Sequence, residues 1–143
     1  MKGLILWALA LSACQAPLPL GERWEGEGGY VVPPGTKEQV LFRLQLSGAE
    51  RTGEGYRYDA RLRFDTSEGE KGFDGVMEEV FRDELGSDFD LWGSYDFGLH
   101  CAAGDGPAVH RSGSINADRD VLGGAVNNDL CPSMAAAVLF LVE

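Results

Sequence analysis

Cys14, Cys101 and Cys131 are the three thiols of the chain. A thiol can act as a nucleophile, a metal ligand or one half of a disulfide. No CxxC spacing joins any two of them, which speaks against dithiol redox chemistry. A zinc site would have only His100 and His110 to add, a thin ligand set. His110, Ser112 and Ser114 supply a base and two hydroxyls. On an extended strand they merely share a face, and no acid is placed to orient the imidazole. Asn116, Asp118 and Asp120 imitate the opening of a calcium loop. The pattern then departs, with Val121 where such a loop needs glycine and Asn127 where it needs glutamate. A turn between two strands accounts for these residues better. GxSxG, HExxH and phosphate-loop patterns are absent. Among 23 acidic residues some pair of carboxylates will always meet, so such a pair carries little weight. The expectation is a non-enzymatic protein without metal or cofactor.

The elements that position these groups begin with the N-terminus. Lys2 precedes an uncharged, mostly apolar run from Leu4 to Ala13, with Trp7 inside it. That run is about half of the roughly 20 residues a spanning helix needs. A charged start, a short apolar centre and small residues at the end are the pattern of a secretory signal. Its last four residues, Leu11-Ser12-Ala13-Cys14, resemble the lipobox of bacterial lipoproteins. The resemblance implies cleavage after Ala13, a diacylglyceryl thioether on Cys14 and a further acyl chain, palmitate for example, on the new amino group. One acyl chain anchors only marginally, whereas two or more hold firmly. A plain signal peptide cut elsewhere would leave the position of Cys14, at the end of the apolar run, to chance. A transmembrane anchor is disfavoured by Gln15 and the two prolines that come after it. Gln15 also stands where some bacterial lipoproteins carry the Asp that retains them at the inner membrane. The resemblance therefore implies the cell envelope, with the domain outside the cytoplasm, at the outer membrane or the periplasmic face. With Cys14 lipidated, Cys101 and Cys131 remain as an even pair in an oxidising compartment and are expected to form a disulfide.

The predicted organisation is a signal peptide over residues 1–13, a lipidated tether over 14–22 and one β domain over 23–143. Pro17 and Pro19 favour an extended tether. The formal charge of −11 includes Lys2, so the mature part is more acidic still. Such a body is repelled by nucleic acid and by anionic lipid. It suits a basic protein partner, or simply solubility at a surface. Hydrophobic residues at 44% are ample for a globular core, and 20 glycines point to many turns.

Alternation of period two dominates the chain beyond the tether. Trp24, Gly26, Gly28, Tyr30 and Val32 share one face of a strand over Arg23–Val32. A second strand spans Val40–Leu46, and Ser47-Gly48 is expected to begin its turn. Over Tyr56–Asp65, Tyr56, Tyr58, Ala60, Leu62 and Phe64 face one side. Arg57, Asp59, Arg61, Arg63 and Asp65 face the other. A strand with one wet face belongs in an antiparallel sheet. The Arg row is expected to pair with acids on neighbouring strands rather than with an anionic ligand. Phe73 to Leu85 fits a short helix, with Phe73, Val76, Met77, Val80, Phe81 and Leu85 on one side, or else a bent strand with Phe73, Gly75, Met77, Glu79 and Phe81 on one face. Alternation returns over Phe89–Cys101, with Trp92 on the polar side as a candidate contact. Weaker strands span Val109–Ala117 and Val121–Val126, and Met134–Val142 closes the chain. About seven or eight short strands with regular turns predict a mainly β antiparallel meander, either a small up-and-down barrel or a sandwich, with one short helix as an option.

Trp24 followed by Gly26 early in the first strand resembles the opening of lipocalin-like barrels. Trp24, Tyr30, Tyr56, Tyr58, Trp92 and Tyr95 are the candidate ligand-binding aromatics of that reading. An eight-stranded barrel is at the limit where side chains alone fill the interior, so the inward rings could equally be core. Two functions are expected on these grounds. The first is a membrane-anchored envelope lipoprotein acting by protein contact or as a structural module. The second is a calycin-like binder of a small apolar ligand.

Overall fold

The computed structural model describes residues 17–32, 35–94, 108–126 and 138–142, with backbone alone at 31–32, 94, 108–111 and 124–126. Eight strands run in order: β1 (Arg23–Val32), β2 (Thr36–Arg51), β3 (Gly55–Thr66), β4 (Gly69–Asp83), β5 (Gly86–Ser94), β6 (Ala108–Asn116), β7 (Val121–Val126) and β8 (Leu139–Leu141). Each pairs antiparallel with the next, and β8 returns to β1 through Trp24↔Leu141 and Glu25↔Phe140. The result is a closed up-and-down barrel, which decides against the sandwich. Closure removes the exposed strand edges that an open meander would carry.

The alternation read from sequence is the alternation of the barrel wall. On β2, Val40, Phe42, Leu44 and Leu46 are buried. On β3 the buried row is Tyr58, Ala60, Leu62 and Phe64. The Phe64 ring lies 4.9 Å from Tyr30 and 4.8 Å from Phe42, the latter edge-on. Such pairs contribute roughly 0.5–1.5 kcal/mol beyond the area they bury. Trp24, Phe73, Met77 and Ile115 are also fully buried, and Phe89, Leu91, Leu122 and Leu139 of β5, β7 and β8 join them in the core.

Two expectations change. Of the two readings of Phe73 to Leu85 the strand holds and the helix does not: residues 73–83 are most of β4, paired with β3 from Gly55↔Val80 to Thr66↔Gly69 and with β5 on its other side, and Glu84 and Leu85 form the turn that follows. The helical spacing of its apolar residues arises because the inward row Phe73, Gly75, Met77, Glu79 is interrupted by a glycine and an acid. Among the described residues there is no helix. Ser47-Gly48, expected to start a turn, instead lies inside a 16-residue strand. The β2–β3 register shifts between Ser47 and Glu50, and Gly48 has φ of 61°. This is a bulge with glycine in the left-handed conformation. A Cβ there would also come within 2.8 Å of Asp59 Oδ2. The turn itself is deferred to residues 52–54.

Antiparallel order gives the barrel two rims. At one rim lie the start of β1, the β2–β3, β4–β5 and β6–β7 turns, and the end of β8. We call this the N-terminal rim, because Pro17 to Glu22 enters there. The far rim carries the β3–β4 turn and the strand ends Val32, Ser94, Ala108, Val126 and Leu139.

Candidate functional site

Two charged side chains are buried among the described residues: Lys71 near the far rim, 3.3 Å from Glu68, and Glu79 near the N-terminal rim, where the larger cluster forms. Glu79, on the inward row of β4, is 1% exposed. Its Oε1 accepts from Tyr58 Oη of β3 at 2.8 Å and from Arg119 Nη2 at 3.1 Å. Its Oε2 accepts from Ser87 Oγ of β5 at 2.7 Å and from Arg119 Nη1 at 2.5 Å. Arg119 comes from the β6–β7 turn, held there at φ 60°. That turn is shaped by Asn116, whose Oδ1 accepts from the backbone N–H of Asp120 and of Val121. Its Nδ2 donates to Asp120 Oδ1 at 2.7 Å. Asn116 and Asp120, two of the three residues that imitate a calcium loop, thus build the turn that delivers Arg119.

Four donors saturate the Glu79 carboxylate, so no lone pair is left to act as a base. Burial raises the Tyr58 hydroxyl well above its ordinary value near 10, and neighbouring Glu79 adds to the effect, while the hydrogen bond from Leu20 opposes it. Burial alone would lower Arg119, but the Glu79 hydrogen bond and charge outweigh it and raise it. Through the neutral range Tyr58 therefore keeps its proton and Arg119 its charge. The chemistry of the cluster is to hold strands β3, β4, β5 and the β6–β7 turn together.

The same cluster receives the N-terminal segment. Leu20 is buried, and its N–H donates to Tyr58 Oη at 3.1 Å. Tyr56 Oη donates to the Pro17 carbonyl at 2.8 Å. Trp24 Nε1 donates to Gly21 O at 2.9 Å, and Leu46 N to Glu22 O at 2.8 Å. Residues 17–22 are therefore a strap laid on the barrel. Beside the strap, the Phe81 ring lies 5.0 Å from the Arg51 guanidinium and 5.8 Å from that of Arg119. Both are within cation–π range.

The residues singled out from sequence are dispersed. Trp24, Tyr30 and Tyr58 are buried in the interior. Tyr56 is half-buried at the N-terminal rim, 5.9 Å ring to ring from Tyr58. Trp92 is 45% exposed on the outside of β5, so the set does not share one space. Tyr95, Cys101, Cys131 and the lipobox with Cys14 lie outside the described residues. Ser112 and Ser114 are half-buried, and Ser114 Oγ donates to the Gly123 carbonyl at 3.4 Å. Of the Arg row on the outer face of β3, Arg61 and Arg63 pair with acids of β4 as expected. Arg63 Nη2 lies 2.9 Å from Asp74 Oδ1, and Arg61 Nε 3.4 Å from the same oxygen. Arg43 of β2 reaches Asp65 at 3.2 Å and Glu70 at 3.6 Å.

Sequence reasoning missed Glu79, Ser87 and Arg119. Glu79 did leave a signal, an acid at an inward position of the strand reading of Phe73 to Phe81. Arg119, between Asp118 and Asp120, left none. Comparison with protein-family models, curated proteins and solved structures finds no match to this chain.

Proposed function

We propose that this chain is a lipoprotein of the cell envelope, held to a membrane through lipid on Cys14, whose barrel acts outside the cytoplasm by protein contact or as a structural module. The observation that carries the reading is the described interior. Its rings pack on one another, and its one saturated carboxylate serves the wall and the strap. Recognition is then left to the outer surface, which is strongly acidic and suits a basic protein partner. The strap adds support for the anchor, because it brings the chain to within three residues of Cys14 while still in contact with the barrel.

A second reading, a calycin-like carrier of a small apolar ligand, is favoured by one observation: the barrel is closed and has eight strands, a size that can hold one small ligand.

Expression of the full chain in a bacterial envelope, followed by intact and native mass spectrometry, tests both. The first reading expects acyl mass that disappears in Cys14→Ser, and no other bound mass. An apolar molecule that co-purifies with the Cys14→Ser chain and leaves on denaturation replaces the first reading with the second. A chain without acyl mass overturns the anchor.

A further inference from the structure

We infer that the N-terminal rim is the membrane-facing end of the barrel, seated on an uncharged lipid surface with Leu18 and Leu85 in contact with it. The inference rests on the lipid-anchor reading above and adds an orientation and a contact surface to it.

Chain length is the first argument. The strap is fixed to the rim as far as Pro17, whose carbonyl accepts from Tyr56. Successive Cα atoms are 3.8 Å apart, so the Cα of Cys14 lies no more than about 11 Å from that of Pro17. Strand β3 has 12 residues. At ordinary rise and barrel tilt that is roughly 30 Å of height between the rims. A lipid on Cys14 therefore cannot bring the far rim to the bilayer while the strap stays seated.

The second argument is where apolar surface is exposed. Among the described residues the two most exposed large apolar side chains are Leu18, at 82%, and Leu85, at 69%. Scattered exposed leucines are ordinary on soluble proteins. These two, however, sit on the same rim. Leu18 is in the strap, Leu85 at the tip of the β4–β5 turn, and their sequence neighbours Pro17 and Glu84 line one groove with Phe81 and Arg119. An interfacial contact needs apolar side chains at that end and shallow penetration only.

Charge sets the lipid class. Glu22, Glu54, Asp83, Glu84 and Asp118 are exposed at this rim, against Arg23, Arg51 and Arg82. The rim carries more acid than base, so anionic headgroups repel it and uncharged ones do not. With this rim down, the far rim, where residues 95–107 and 127–137 join the barrel, is presented away from the membrane.

The test uses the full chain from a bacterial envelope, reconstituted into phosphatidylcholine vesicles with brominated acyl chains, which quench nearby tryptophan. Leu18→Trp and Leu85→Trp report the N-terminal rim. Lys37→Trp, at an exposed position near the far rim, is the control. All are read as the change from the parent chain, which carries Trp24 and Trp92 once the signal peptide with Trp7 is removed. The expected result is loss of the added emission at 18 and 85 and its retention at 37. Adding anionic lipid to the vesicles should diminish the loss at 85 while the chain still floats with the vesicles. Loss at 37, or retention at both 18 and 85 in a chain that floats and carries acyl mass, overturns the inference and leaves the anchor standing. Loss of parent Trp92 emission greater than that at 85 shows a barrel lying on its side and also overturns it. A chain without acyl mass overturns the anchor and the inference together.

Discussion

Arg119 closes on Glu79 across 40 residues of sequence as a bidentate pair, Nη1 donating to Oε2 and Nη2 to Oε1. The carboxylate side chain is fully buried and the guanidinium 16% exposed. Removing one partner leaves the other charge buried without its counter-charge, at a cost of ~3–5 kcal/mol. Glu79→Ala and Arg119→Ala are each expected to lower the urea midpoint by that order. Combined, they should cost much less than the sum of the two. Additive losses in the double-mutant cycle would show that the pair is not coupled. Because Arg119 sits at φ 60°, Arg119→Gly relieves backbone strain that Arg119→Ala retains. The glycine variant should therefore be the more stable of the two by ~1 kcal/mol.

Tyr58 predicts an alkaline limit to stability. Its folded pKa is raised, chiefly by burial, above the ordinary value near 10. The unfolded chain releases this proton first as pH rises, so the folded state binds more protons and stability falls with pH. The contribution is intact below pH 10 and is lost above it, with a slope of ~1.4 kcal/mol per pH unit until the folded hydroxyl also titrates. Tyr58→Phe should remove that part of the alkaline loss. At neutral pH it should cost ~1–3 kcal/mol, because Leu20 N–H and Glu79 lose a partner. Urea melts of both chains from pH 7 to 11 measure the difference, and parallel curves would refute the assignment.

The wall of the barrel was legible wherever one face stays wet and the other dry. Arg23–Val32 is β1 to the residue, and Tyr56–Asp65 falls within β3. Alternation fails where the interior turns polar or a glycine makes room, which is what Gly75 and Glu79 do to β4. It is also silent about closure. The β8–β1 seam is made by two register pairs and a three-residue strand, set by barrel geometry rather than by periodicity. Glu79 left its mark on the β4 pattern, but the cluster around it was unreadable as a cluster for a related reason. Its members lie on β3, β4, β5 and the β6–β7 turn, and only the folded order of strands brings them together.

Gly93 shows how tightly the interior is fitted. A Cβ at this position would lie 2.0 Å from Cδ2 of Phe73. Gly93→Ala is expected to cost ~1–3 kcal/mol through overpacking. Shrinking the neighbour should return part of that loss, so Gly93→Ala with Phe73→Leu should be more stable than additivity of the single variants allows. Thermal melts of the four chains test it. Strict additivity would place the alanine's cost elsewhere.

The seam and the thiols lead to the last prediction. Cys101 falls between β5 and β6, and Cys131 between β7 and β8. The strand ends flanking both segments, Ser94, Ala108, Val126 and Leu139, are at the far rim, so a bridge between the two segments joins connections that start from the same end of the barrel. β8 has few ladder partners, Val121 and Leu122 on one side and Trp24 and Glu25 on the other. A bridge limits how far its preceding segment can wander in the unfolded chain. With a loop of about 30 residues, the chain-entropy model gives ~3–4 kcal/mol. The oxidised chain should therefore be lighter than the reduced one by two hydrogens, and reduction should lower the urea midpoint accordingly. Hydrogen exchange should rise first at Leu139–Leu141 and in β7, with the β2–β4 ladders protected until global unfolding. Uniform loss of protection on reduction would mean that the bridge does not act on the seam.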